Sequence, residues 1–242
     1  MSQLIPVTTT RLGEHLPLLD LLPDSNPLAW VRSGDGLVGW GNYATTTVSG
    51  PHRFADARHW WQKQLEKLAV TNSVHGSGTG PILFTSFSFS PDDVSVLVIP
   101  QVIVGAKGEK SWITWIGSDP QPVLRTSPDH VSSADMSWDE NPQSDVDWKN
   151  RVATAVSRIQ SGDLDKVVLA RDITIKSNRS IDPRAILNKL AAEYPSTWKY
   201  AISGLVGATP ELLLRLSRGM ITSRVLAGTI SKTGDDAKDL AL

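Results

Sequence analysis

Cysteine is absent from this 242-residue chain, which rules out disulfide bridges and thiolate-held metals and suits a reducing cytoplasm. Long apolar runs are also missing: nothing approaches the roughly 20 residues that a helical membrane span needs. The opening Met1-Ser2-Gln3-Leu4-Ile5-Pro6 lacks the charged region and extended apolar core of a secretory signal. Net charge is nearly zero, because 24 Lys and Arg face 25 Asp and Glu. That balance gives no electrostatic reason to expect nucleic acid or an anionic membrane as partner. Histidine is scarce, and His15, His52, His59, His75 and His130 all lie in the first part of the chain. None stands at a metal-binding spacing such as His-Glu-x-x-His, which argues against a histidine metal site or a serine triad. The glycine-rich Gly76-Ser77-Gly78-Thr79-Gly80 lacks the lysine of a phosphate loop. No repeat of 20–50 residues is found. These absences lead us to expect a soluble, cytoplasmic protein.

What is present describes an ordinary globular chain, 40% hydrophobic and 20% charged, long enough to bury a sizeable core. Fifteen prolines and eighteen glycines point to many turns and a β-rich framework. Ala29-Trp30-Val31 and Gly36 to Gly41 read as a hairpin around Gly34-Asp35-Gly36. Phe54 to Val70 carries apolar residues at helical spacing, with Trp60 and Trp61 placed to anchor the helix to a sheet. Strands are predicted over Pro81–Phe89, over Val94–Val104 with a bend, edge or bulge at Pro100, and over Ser111–Ile116. Residues 117–143 are rich in Pro, Ser and Asp and read as a long surface connection.

The clearest helix is Asp145 to Gln160, with Trp148, Val152, Ala155, Val156 and Ile159 on one stripe and Gly162 as its stop. A strand is predicted at Val167-Val168-Leu169, continuing to Ile175. Asp182-Pro183 opens another helix. Three strands are expected after it, over Trp198–Val206, Glu211–Leu216 and Met220–Val225.

Three short segments point to chemistry. Lys166 stands at the mouth of the Val167–Leu169 run, and lysine is almost never fully buried without a partner. Glu211 stands at the mouth of Leu212-Leu213-Leu214 in the same way. Leu226-Ala227-Gly228-Thr229 is a run of small residues whose glycine admits close backbone approach by a ligand. From these residues alone, a structural salt bridge or two unrelated surface charges explain the pattern as well as a site does.

Asp165-Lys166-Val167-Val168-Leu169-Ala170-Arg171, Gly207-Ala208-Thr209-Pro210-Glu211-Leu212-Leu213 and Leu226-Ala227-Gly228-Thr229 resemble three successive motifs of the chorismate-utilising enzymes. The resemblance is closest to the isochorismate synthases of the menaquinone and siderophore branch, and it runs from about Trp148 to Asp239. It implies an α/β (α+β) fold of largely antiparallel β-sheets with helices packed outside, the N-terminal portion of the chorismate-binding fold. It further implies a single, incomplete domain, with 1–140 a variable N-terminal part and 145–242 the start of the catalytic core.

The implied reaction turns chorismate into isochorismate by adding water at C2 and losing the C4 hydroxyl. Lys166 matches the base, Glu211 the acid, and Ala227, Gly228 and Thr229 the substrate pocket. Anthranilate synthase-like members usually carry glutamine at the position of Lys166, and aminodeoxychorismate synthases usually carry lysine at that of Ala227. Lys166 with Ala227 therefore implies water as nucleophile, a pattern that salicylate synthases share. The family also implies Mg2+, with ligands expected beyond the end of this chain. It implies a monomer at full length, with an inactive or self-associating remnant as the alternative for a chain of this length.

Overall fold

The computed structural model describes residues 3–14, 16–126, 136–138, 142–217 and 219–224. The chain divides into two compact units, one of Met1–His130 with Pro183–Leu242 and the other of Val131–Asp182.

The first unit begins with β1 (Ile5–Leu12) and a short 3-10 turn (Leu18–Leu21), followed by β2 (Leu28–Arg32), β3 (Asp35–Trp40) and β4 (Ala44–Val48). Next come α1 (Arg53–Leu65), β5 (Leu68–Asn72), β6 (Phe84–Ser86), β7 (Ser95–Ile99), β8 (Val102–Lys107) and β9 (Lys110–Ile116). The second unit holds β10 (Met136–Trp138), α2 (Pro142–Gln160) and β11 (Ile175–Ser177). The first unit resumes with α3 (Pro183–Glu193), β12 (Trp198–Ile202), β13 (Leu205–Thr209), β14 (Leu212–Ser217) and β15 (Met220–Arg224).

Eight strands form the main sheet in the order β13-β12-β2-β3-β8-β9-β1-β5. All neighbours are antiparallel except β1 and β5, which run parallel across the α1 crossover. A separate sheet has the order β4-β7-β6, and β14–β15 form a hairpin of their own. The α+β class with largely antiparallel sheets is thus the observed one. Val31, Val38, Val104, Ile113, Leu187 and Ala201 form the largest buried cluster, so α3 covers the sheet through Leu187. A second cluster of Val7, Leu68, Ile99 and Ile116 receives Trp60 and Trp61, the anchoring expected of them.

The β2–β3 turn is Ser33-Gly34, with both residues at positive φ (50° and 83°), the two-residue geometry that matches strand twist. It lies slightly before the predicted turn. The α1 helix stops at Leu65, and Leu68, Ala69 and Val70 extend alongside β1 instead. Pairing with β1 outweighed the helical spacing there. Pro100 is the fully buried point where the chain leaves β7 and enters β8 in the other sheet, a bend that ends one ladder and begins the next. The strand predicted over Trp198–Val206 is two strands joined at Ser203-Gly204, both at positive φ. Consequently 207–209 belong to a strand, and of the segment Pro81–Phe89 only Phe84–Ser86 is extended in a ladder.

In the second unit α2 forms as its spacing requires. Gly162 adopts φ 81°, and the N–H groups of Gly162 and Asp163 donate to Ile159 and Arg158 carbonyls, which closes the helix end. Arg171 pairs with Asp145 at 2.7 Å, and its guanidinium lies 5.6 Å from the Trp148 ring centroid. The strand predicted over Val167–Leu169 is not formed: 163–174 has no ladder partner among the described residues, and only Ile175–Ser177 pairs, with Met136–Trp138. A β-branched run without a neighbouring strand has no acceptors or donors for its backbone and stays irregular.

Candidate functional site

Lys166 lies in the irregular stretch between α2 and β11, in the second unit, with an exposed side chain. Glu211 lies in the first unit, in the single residue pair between β13 and β14, and is exposed as well. Its backbone N–H donates to Thr209 Oγ1 at 3.1 Å, a local turn bond that fixes the chain just before the carboxylate. Ala227, Gly228 and Thr229 lie outside the described residues. Among the described residues, no three His, Asp or Glu side chains gather where they could hold a metal ion such as Mg2+, which asks for near-octahedral oxygen ligands.

A concavity of the first unit lies elsewhere. It is a cleft of about 700 Å³ bounded by β2, the β2–β3 turn, β12 and β14. Trp30 and Trp198 stack along one wall, with ring centroids 5.2 Å apart and planes at 18°. Their pairing follows from register, because β2 and β12 are neighbours and Tyr200 stands opposite Trp30. Trp112 closes another side, and its indole Nε1 donates to the Gly78 carbonyl at 2.9 Å. Gly105 is required behind it, since a Cβ there would sit 2.3 Å from the Trp112 ring. Arg32 places its guanidinium 5.8 Å from the Trp198 centroid.

Next to the cleft, Lys199 is 2% exposed and buried among backbone. Its ammonium donates to the carbonyls of Tyr194, Pro195 and Thr197 at 3.1, 3.0 and 3.0 Å. Burial, and secondarily the Arg32 charge, push its pKa below the ordinary lysine value. The three carbonyls occupy all three ammonium protons, so Lys199 ties the end of α3 to β12 and has no proton left for a ligand.

The chain belongs to the chorismate binding enzymes: that family matches residues 29–242. Isochorismate synthase MenF of Bacillus subtilis is 27% identical over 239 residues, covering 84% of this chain and 50% of that protein. Isochorismate synthase EntC of Escherichia coli K12 is 27% identical over 184 residues, covering 74% of this chain and 44% of that one. A 2-amino-4-deoxychorismate synthase of Streptomyces globisporus is 33% identical over 91 residues, covering 36% of this chain and 18% of that protein. The chain spans about half the length of the curated relatives it matches. No solved structure matches it. No described helix is long and apolar enough to cross a membrane.

Proposed function

We propose that this chain carries the acid–base pair of an isochorismate synthase. The observation behind this reading is the order of three motifs, at Lys166, Glu211 and Ala227-Gly228-Thr229, inside the family match at 29–242. Relatives named isochorismate synthase support it.

Chorismate is the substrate on this reading. Neutral Lys166 Nζ takes a proton from water as its oxygen bonds to C2. The ring double bonds shift, the C4–O bond breaks, and Glu211 gives its proton to the departing hydroxyl, which leaves as water. Lys166 ends protonated and Glu211 ionised, and exchange with solvent restores both. Ala227, Gly228 and Thr229 are the substrate-binding residues on this reading. An acid and a base of this kind each contribute about 10²–10⁴-fold when well placed. Desolvation around a bound substrate favours both roles, because a desolvated lysine loses its proton more readily and a desolvated carboxyl keeps it. No step here is assigned to Mg2+.

Chromatography of chorismate incubations tests the reading. Isochorismate above the uncatalysed rate, lost in Lys166→Gln and in Glu211→Gln, is the expected result. Salicylate with pyruvate would instead identify a salicylate synthase.

The exposure of apolar side chains supports a second reading, a non-catalytic remnant that self-associates. Val168 is 93% and Leu213 90% exposed, with Leu216, Met220 and Ile221 also open on the β14–β15 hairpin. No product from a folded chain, together with a mass that grows with concentration in sedimentation, favours that reading over the first.

A further inference from the structure

The stretch that carries Lys166 has no ladder partner among the described residues, so no strand edge sets its course. We propose that Arg171 is a positioning residue: a latch that lays this stretch along α2 and so places Lys166 for the reaction above. What the latch serves rests on the acid–base reading; the latch itself does not.

Three observations carry this, all within the second unit. First, the stretch is fastened where it leaves the helix. The N–H groups of Asp163 and Leu164 donate to the Arg158 carbonyl at 2.9 and 3.3 Å, and the Asp163 carboxylate lies 4.0 Å from Arg158 Nε. Second, Arg171 donates to Asp145 Oδ1 at 2.7 Å, at the opposite end of α2. From Asp145 to Arg158 the helix rises about 20 Å. An extended run from Asp163 to Arg171 reaches about 26–29 Å, enough to return along the helix with Lys166 between the two fastenings. Third, the far fastening is double. Asp145 and Trp148 stand a turn apart on one face of α2, and the Arg171 guanidinium meets both, lying 5.6 Å from the Trp148 ring centroid. A planar guanidinium bonds a carboxylate through its edge while its face lies on an indole, a combination that the compact ammonium of lysine does not offer. From Leu164 to Asp172, Arg171 is the only side chain among the described residues with a hydrogen bond or ion pair. Losing it leaves the stretch fastened at one end. One exposed ion pair adds little to global stability, so the latch governs the local freedom of the Lys166 backbone rather than folding.

Backbone ¹⁵N relaxation of the full chain tests this. We expect order parameters over Leu164–Ala170 above about 0.6 in the parent, and below that flexible limit in Arg171→Gln and in Asp145→Asn. Circular dichroism and the unfolding midpoint should not change. Arg171→Lys should fall between, because it keeps the charge and loses the fork and the stack. In the isochorismate assay Arg171→Gln should lower kcat about tenfold at unchanged KM, with part of the loss recovered in Arg171→Lys. If Arg171→Gln unfolds, Asp145→Asn decides, since it breaks the same pair from the helix side. Order parameters already below about 0.6 in the parent, or unchanged in both variants, would overturn the inference. So would full kcat in Arg171→Gln where Lys166→Gln is inactive. Turnover that survives Lys166→Gln overturns the acid–base reading instead, and the order parameters then decide the latch by themselves.

Discussion

Two apolar β-branched runs in this chain have opposite fates. Val102-Ile103-Val104 lies in β8, paired with β3 on one side and β9 on the other, and Ile103 and Val104 are fully buried. Val167-Val168-Leu169 lies in an irregular stretch, and Val168 is almost fully exposed. Composition does not separate them. What separates them is whether other strands bring donors and acceptors to both edges of the run. The α2 stripe repeats the lesson, because Val152, Val156 and Ile159 are all exposed although their spacing is that of a buried face. An apolar pattern states a demand for partners. The chain's other segments decide whether the demand is met.

The contrast can be tested by substitution, followed by thermal and denaturant unfolding. Ile103→Ala removes side-chain volume from a site with no exposure and should cost about 2–5 kcal/mol. Lys199→Met leaves three carbonyls without their shared donor and should cost about 2–3 kcal/mol. Gly105→Ala forces its new methyl into the Trp112 ring and should cost about 1–3 kcal/mol. Val168→Ser should change stability by no more than about 0.5 kcal/mol. A loss at Val168 as large as that at Ile103 would show that the two runs are equivalent in solution, and would break the comparison.

Alkaline titration sharpens the contrast from a different side. The folded Lys199 pKa is below its unfolded value, so in the interval between them the unfolded chain binds more protons and stability rises with pH. Tyr43 is raised by burial, so its contribution has the opposite sign and stability falls as pH climbs above the ordinary tyrosine value. Lys199→Met should remove the rising part and Tyr43→Phe the falling part, each read from unfolding midpoints across pH.

Much of the fold was legible where local chemistry decides it. Asp182-Pro183 opens α3, Gly162 closes α2, and the Trp60-Trp61 pair meets the core, all for reasons contained in a few neighbouring residues. Distant pairing was not legible. Thr8-Thr9-Thr10 in β1 and Thr45-Thr46-Thr47 in β4 are β-branched runs that form strands, but polar composition hid them from a search for apolar alternation. The end of α1 was misplaced because Leu68 fits a helix stripe and a parallel partner of β1 equally well.

Lys166, Glu211 and Ala227-Gly228-Thr229 were reached through motif resemblance, and their surroundings were not readable because they depend on non-local packing. The Trp30–Trp198 wall was missed altogether. Its signal was a tryptophan at an outward position between buried neighbours, as in the Leu28–Arg32 pattern, where burial alternates around an exposed Trp30.

The sheet order has one more consequence, for the time at which each part forms. Strands β2, β3, β8 and β9 are joined largely by near-sequence hairpins, whereas β12 docks on β2 by pairing Lys199 with Val31. That contact closes a loop running from residue 31 to residue 199, and long closures are slow because their entropy is lost before the contact stabilises anything. On a ribosome the N-terminal strands emerge and associate first, leaving the β2 edge open until α3 and β12 have been made. The Trp30 ring therefore meets Trp198 only once β12 has docked, which makes the fluorescence of that pair a reporter of that closure.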